Sequence, residues 1–492
     1  MTESLPPEDP RDALIHDQAG QIAALTELVA QLREQLDAAL RAASRNSGNS
    51  SMPPSADDLP GRRLPARKER RAAERAEKKR KPGKQPGSPG AAMRWERPDE
   101  VTGHFPQGDC ACGADLADAA DLGVARSCQQ QDVPEPQPSR RYQHDLHKAR
   151  CACGKVHVAA RPAGVPDAPL SVGPRLSAMA VYLSVFQHVP VERAQFLIAD
   201  LTGGVLSAGF VHSCLGKAAG LVTDAVRLIR TLIAAAPVAG FDETTLRSGP
   251  AGEKKYVHGA FTELYSAFWL GTRSLETMKE AGILPSFAGI AVSDRYQGYY
   301  SKTWQNLAGH QACAAHIIRD FADCAETYPG AAWPEQAMRS LRGLIRAWHA
   351  AREQGLPAIP AEDREPLETE FRRAVTVGLA AVSRVPGPKN QVRQRPGREL
   401  LEFCKTRQAD VLRFTTDTSV WPTNNISERG VRPLKTQQKI SGRLTSDNVT
   451  QDRLDIRGYI DTARKHGLGA YEVLHQLMLG NPWLPPAQPI SP

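Results

Sequence analysis

Residues 237–247 read PVAGFDETTLR, a run that is apolar up to Asp242 and polar after it. A strand pattern begins here. Two further segments, KYVHGAFTEL (255–264) and YSAFWLGT (265–272), alternate and are rich in aromatic and β-branched residues, with a turn expected near Glu263–Tyr265. A helical stretch follows, then FAGIAVSDRYQGYY (287–300), an apolar strand ending on Asp294. QACAAHIIRDFADCAET (311–327) reads as a helix. Residues 326–405 are helical and Arg-rich with Pro/Gly breaks, the pattern of an insertion, and 425–480 are helical again. Three strands, a fourth, and helices around them make an α/β domain.

Two aspartates at the ends of neighbouring buried strands repel one another, and each loses hydration. A divalent cation removes that cost. Mg²⁺ takes oxygen ligands, commonly one or two carboxylates together with phosphate oxygens and water. Each aspartate alone reads equally as a turn-initiating residue after a strand.

A third acid stands out in WPTNNISERGVRPLKTQQKISGR (421–443), where Glu428 is the single acidic residue among Arg429, Arg432, Lys435, Lys439 and Arg443. Asn425 fits a helix N-cap with Glu428 at its third position, and Glu428 could also pair with Arg432 one turn on. Neither role explains the basic frame. A metal-holding acid placed against DNA does, with the surrounding cations on phosphates. Pro433 is expected to limit the first helical segment to about two turns or to kink it.

The remainder of the chain fits a partner of this kind. Lys and Arg exceed Asp and Glu by eight over 492 residues, and the pI is near 9.0, which favours a polyanion. No apolar run of about 18 residues occurs, so no membrane span is expected. The N-terminus is polar, unlike a signal peptide. The nine cysteines do not form a disulfide framework and fit a reducing cytoplasm. Residues 13–45 read as a helix with Leu25, Val29, Leu32, Leu36 and Leu40 at three- and four-residue steps, either a short coiled coil or an amphipathic helix packed on its own chain. Residues 46–60 form a linker, and residues 62–84 carry twelve Lys/Arg against three Glu, a phosphate-contacting arm or a solvated charge run. CACG occurs twice, giving Cys110, Cys112, Cys151 and Cys153 as ligands for a structural zinc, with Cys128, His144 and His147 between them. The one-residue gap within each pair is shorter than usual for zinc. VERAQFLIADLTGGVLSAGFVHSCLGKAAG (191–220) has a helix–turn–helix shape, which an ordinary helical hairpin shares.

Taken in order, FDETTLR, VSDRYQGYY, HQACAAHIIRDF and NNISERGVRPLKTQQKISGR resemble the catalytic blocks of the insertion sequence 66 family of transposases, bacterial enzymes with an Asp-Asp-Glu ribonuclease H-like domain. RNSGNSSMPPSAD and RKPGKQPGSPG are similar to the family's N-terminal linker and basic segment, and YIDTARKHGLGAYEVLHQLM to its C-terminal helical element. The resemblance implies that Asp242, Asp294 and Glu428 hold Mg²⁺ (or Mn²⁺), with His316 and Cys313 matching a Cys-x-x-His pattern beside the centre. It implies that the basic residues after Glu428 bind the transposon end, and that the cysteine pairs bind Zn²⁺. It further implies transposon-end and target DNA as partners, a homo-oligomer, and small accessory proteins of the same element.

The expected fold class is thus multidomain. A coiled-coil helix and linker (1–60), a basic linker (61–95), a zinc-binding element (96–165) and a helical DNA-binding domain (166–235) come first. A ribonuclease H-like α/β domain (236–325 and 406–480) follows, interrupted by a helical insertion (326–405) and ended by a tail (481–492). The expected activity is Mg²⁺-dependent cleavage at transposon ends followed by strand transfer, in a bacterial cytoplasm at the nucleoid. The rivals are a hydrolytic nuclease on the same fold and a captured transposase that only binds DNA.

Overall fold

The computed structural model describes residues 18, 20–22, 25–29, 32, 36, 95–132, 138–162, 165, 167–387, 392–442 and 444–486. The chain forms two compact units, residues 64–138 and the remainder. The linker at 46–60, the basic run at 62–84, Leu40 and Arg443 lie outside the described residues. Within 13–45 the described positions are helical, and Leu25, Val29, Leu32 and Leu36 are all exposed.

Each CACG sequence builds the same small turn. Gly113 donates its N–H to the Cys110 carbonyl and Cys110 donates to the Ala114 carbonyl, both at 2.8 Å. In the other copy Gly154 donates to Cys151 and Cys151 to Lys155, again at 2.8 Å. Both turns need a positive φ, 87° at Gly113 and 88° at Gly154, which glycine adopts without a Cβ clash. The second turn closes the hairpin of β1 (Lys148–Arg150) and β2 (Val156–Val158).

The larger unit is organised on a five-stranded sheet made of β3 (Val238–Ser248), β4 (Glu253–Phe261), β5 (Ser266–Gly271), β6 (Ile290–Ser293) and β7 (Gly309–Ala312), in the order β5-β4-β3-β6-β7. β3, β4 and β5 are antiparallel neighbours, and β6 and β7 continue from β3 in parallel. The fifth strand, β7, falls where the sequence pattern indicates the start of a helix. Gly309–Ala312 has too little β-branched character to announce itself, and its conformation comes from parallel pairing to β6. Asp242 is likewise not at a strand end. β3 runs on to Ser248 because β4 pairs with it along that whole length, whereas the β6 pairing stops at Gly240.

Alternation along β3 sorts the two faces. Ala239 and Phe241 join Ile229 and Ile233 of a long helix, together with Met278, Phe287 and Tyr299. That helix, α3 (Ala208–Ala234), follows α1 (Pro174–Val181) and α2 (Val191–Thr202). Gly203, at φ 63°, ends α2, and the Ser207 hydroxyl caps α3 by accepting from the Phe210 N–H at 3.1 Å. The helix–turn–helix shape is therefore present. Its second helix buries Cys214, Leu215, Ala218 and Val222 against Ile456, Tyr459 and Ile460, so most of its length is a core element.

The opposite face carries the rest. After α4 (Leu275–Glu280) come α5 (Ala314–Thr327), α6 (Ala332–Glu353), α7 (Ala361–Ala381) and α8 (Arg398–Thr406), whose Phe321, Trp333, Leu341, Phe371 and Leu401 share one core with Val238, Val292 and Ala312 of the sheet. The segment that reads as an insertion therefore shares the core of this face. α9 (Gln408–Leu412) leads to α10 (Asn425–Ser441), which lies over β3 and β4 through Val431 and Leu434, beside α11 (Asp447–Lys465). α12 (Ala470–Met478) closes the chain against α1 and α3. α10 continues through Pro433 for 17 residues. Proline removes one N–H from the ladder, and burial of Val431, Leu434 and Gln437 holds the helix together on either side.

Candidate active site

The site forms where β3 outruns β6. Gly240 pairs with Val292 in parallel register, the last pair of that ladder; Asp242 lies two residues further on within β3, and Asp294 lies one residue past the end of β6. Val238 and Val292 point to the α5–α10 face, and period-two alternation puts Asp242 on that face as well, with Asp294 near enough for its charge to act on it. Glu243, by the same rule, faces the other way. There its carboxylate accepts a hydrogen bond from Tyr299 Oη at 2.6 Å and from Arg273 Nε at 2.7 Å.

Glu428 reaches the site on α10, and a residue that sequence reasoning passed over holds it there. The helix begins at Asn425 and its N-cap is Asn424, one residue earlier than expected. The Asn424 side chain does not cap the helix. Its Nδ2 donates to the Phe241 carbonyl at 2.9 Å, and its backbone N–H donates to Cys313 Sγ at 3.1 Å. The Glu428 N–H donates to the Asn424 carbonyl at 3.0 Å, so Glu428 makes an ordinary first-turn bond in place of a capping box. One buried asparagine thereby joins β3, the end of β7 and the turn that carries Glu428. Its only sequence signal was the Asn doublet at 424–425.

Close approach is also built in at Gly240. A Cβ there would lie 2.3 Å from Ser427 Oγ and 3.0 Å from Asn424 Oδ1. Only glycine lets the first turn of α10 rest directly on β3 next to Asp242.

The electrostatics are those of crowded acids. Desolvation and the charges of Asp294, Glu243 and Glu428 push the Asp242 carboxyl well above its usual range. Burial, with Glu243 next, pushes Asp294 up to about 6, against the Tyr296 N–H that bonds its Oδ1 at 2.9 Å. The Glu428 Oε1 atom has no hydrogen-bond partner. It lies 3.5 Å from an Arg319 nitrogen and 3.6 Å from His316 Nδ1. Burial and the nearby Arg319 and Arg295 push His316 down to about 3, so the imidazole is neutral and its contact with Glu428 is not an ion pair. Glu428 Oε1, His316 and Cys313 have ligand atoms within 4.8 Å of one another.

The basic residues of the 421–443 stretch divide by environment. Arg429, Arg432 and Lys439 are exposed. Lys435 is turned inward, and its Nζ donates to the Thr245 carbonyl at 2.7 Å and to Thr245 Oγ1 at 2.5 Å. Burial, with Lys254 and Lys439 nearby, pushes its ammonium down to about 8. The four cysteines of the CACG turns are exposed free thiols. Cys112 is lowered by hydrogen bonds from the Ala114 backbone and Cys110, and Cys151 by the Cys153 backbone and side chain.

The transposase IS66 family model matches residues 170–452, more than half of the chain. The chain belongs to the IS66 family of transposases. All four blocks from β3 to α10, and with them the three carboxylates, fall inside the matched region. The helix near the N-terminus and both CACG turns of the transposase fall outside it. No curated protein matches the chain. Family membership establishes a transposase role, hence action on DNA, and implies use of a divalent metal. Among the described residues no helix is long and apolar enough to cross a membrane.

Proposed function

We propose that this transposase cuts DNA at the ends of its element and joins the freed 3′-hydroxyl to target DNA at one carboxylate site. The observation that carries the proposal is the convergence of Asp294 and the anchored Glu428 on the buried Asp242, whose carboxyl feels both charges. The sheet order β5-β4-β3-β6-β7, antiparallel on one side and parallel on the other, supports a ribonuclease H-like fold. Asp294 and Glu428 both raise the proton affinity of the buried Asp242, and Glu428 carries an oxygen without a hydrogen bond, an arrangement that suits a hard divalent cation. Mg²⁺ or Mn²⁺ would be held by Asp242, Asp294 and Glu428 and would supply stabilisation of charge developing at phosphorus.

The chain's own groups do the rest. Asn424 and Gly240 fix the position of Glu428. Arg273 and Tyr299 keep the Glu243 charge committed on the far face. His316, held neutral, can donate one hydrogen bond to a phosphate oxygen, and Arg319 presents a cation beside it. Arg429, Arg432 and Lys439 stand where the phosphates of the bound end would pass, and Arg443 belongs to the same basic run. Lys435 is spent on Thr245, so its role is to hold α10 on β3. The lowered thiols of each CACG turn support zinc at the cysteine pairs. The exposed leucine face near the N-terminus supports self-association.

The test uses purified protein, linear DNA bearing the element's ends, and Mg²⁺. Nicked ends carrying 3′-hydroxyls, followed by joined products, are expected. Nicks that never give joined products would leave a hydrolytic nuclease. DNA binding with no cutting would leave a captured DNA-binding protein.

Two results bear on the site directly. Arg432→Ala should weaken end binding and reduce the slope of log K against log salt by about 0.9, the value for one lost phosphate contact on duplex DNA. Lys435→Ala should leave that slope alone and lower thermal stability. Filter binding over a salt series separates the two.

Asp294 binds its proton more tightly folded than unfolded. The stability this confers is full below about pH 4 and is lost as pH rises through about 6. Metal-free protein should therefore be less stable at about pH 7.5 than at about pH 5 on this account, and Mg²⁺ should raise Tm more at the higher pH. An equal Mg²⁺ effect at both values, read by calorimetry, would count against carboxylate ligation.

A further inference from the structure

Cys313, His316 and Glu428 make up a donor set of a different kind from the aspartates. Cys313 follows β7 as the N-cap residue of α5, His316 is on the first turn of α5, and Glu428 is on the first turn of α10. Their sulfur, nitrogen and oxygen atoms all lie within 4.8 Å of one another. Two of the three are left without hydrogen bonds, His316 Nδ1 and Glu428 Oε1, and they face each other at 3.6 Å. Cys313 is 1% exposed, and its sulfur already accepts the Asn424 N–H, the contact that orients a thiolate toward a metal. Thiol, imidazole and carboxylate on three rigid positions are ligands of a borderline-soft ion, with one position open. A tetrahedral zinc site places ligand atoms about 3.5 Å apart, within reach of side-chain rotation alone.

We propose that these three side chains form a second metal site, selective for thiophilic divalent cations such as Zn²⁺, whose occupation inhibits the transposase. Glu428 is the shared residue. A cation bound to Cys313 and His316 draws the Glu428 carboxylate to itself and replaces Arg319 as its charge partner. The thiol proton leaves to solvent on binding. The Asp242–Asp294 pair then lacks its third acid. Mg²⁺, which prefers oxygen, competes poorly for the sulfur and nitrogen. The inhibitory half rests on the reading of Glu428 as a member of the carboxylate triad, whereas the binding half does not.

The experiment titrates metal-stripped, reduced full-length protein with Co²⁺, a coloured stand-in for zinc, and compares it with Cys313→Ser and His316→Ala. Serine keeps an acceptor for the Asn424 N–H, and circular dichroism with end-DNA binding confirms that each variant is folded. The difference spectrum of wild type minus Cys313→Ser should show a cobalt–thiolate band, over and above any band from the CACG cysteines. His316→Ala should weaken that band's midpoint by at least about tenfold. In parallel, the Zn²⁺ concentration that halves Mg²⁺-dependent cleavage should rise by at least about tenfold in Cys313→Ser relative to wild type. A difference spectrum with no thiolate band overturns the site. A band together with equal zinc sensitivity overturns the inhibitory role. If Asp294→Asn cuts like wild type while the cobalt band at Cys313 persists, the triad reading fails and the metal site stands.

Discussion

Asp294→Asn is expected to abolish both cleavage and joining, by on the order of a thousandfold, the loss typical of removing a group that stabilises charge in the transition state. The fold should survive. Asparagine keeps the Oδ1 that accepts the Tyr296 N–H, and it removes a charge that repels Asp242. Binding to end DNA should stay near wild type, because the basic residues on α10 are untouched. The metal-free variant should melt no lower than the metal-free parent, since crowding of acids is relieved. Gel assays of nicked and joined products, with filter binding and calorimetry on the same samples, check all of this. A variant that unfolds or loses DNA would make Asp294 a structural residue.

Gly240→Ala should damage the protein in a different way. Its Cβ would come 2.3 Å from Ser427 Oγ and 3.0 Å from Asn424 Oδ1, and both belong to the turn that delivers Glu428. The helix must move off β3, or the strand must bend. Overpacking of this kind costs about 1–3 kcal/mol. Shifting Glu428 by about 1 Å should cost cleavage on the order of a hundredfold beyond what stability explains. Denaturant unfolding and single-turnover cleavage at low temperature separate the two effects. Full activity at reduced stability would show that Glu428 tolerates displacement, and that the close contact serves packing alone.

Several features of the site were legible in the chain before any tertiary structure. Alternation in PVAGFDETTLR already sets Asp242 and Glu243 on opposite faces, and Glu243 indeed bonds Tyr299 and Arg273 on the far side. The apolar run to Asp294, the Gly203 turn and the Ser207 cap follow equally from local pattern. Where the local pattern is weak, the structure departs from it. Gly309–Ala312 is a strand through its neighbour and not through its composition. Pro433 predicts a helix limited to about two turns or kinked; α10 runs on through it for 17 residues, held by Val431, Leu434 and Gln437 on either side. Lys435 resembles the other cations of its run in sequence, but Thr245 takes its nitrogen.

What the sequence alone determined is therefore local: element types, which face of a strand each carboxylate occupies, the excess of positive charge around Glu428, and the family. These follow from periodicity and composition over a few residues. What only the tertiary structure decided is convergence. Asn424 bonding Phe241 and Cys313, Gly240 accommodating Ser427, and Glu428 meeting His316 and Arg319 all join segments far apart in the chain. No local rule states which surfaces will bury each other. That choice is made by the packing of whole elements, and it places the third acid.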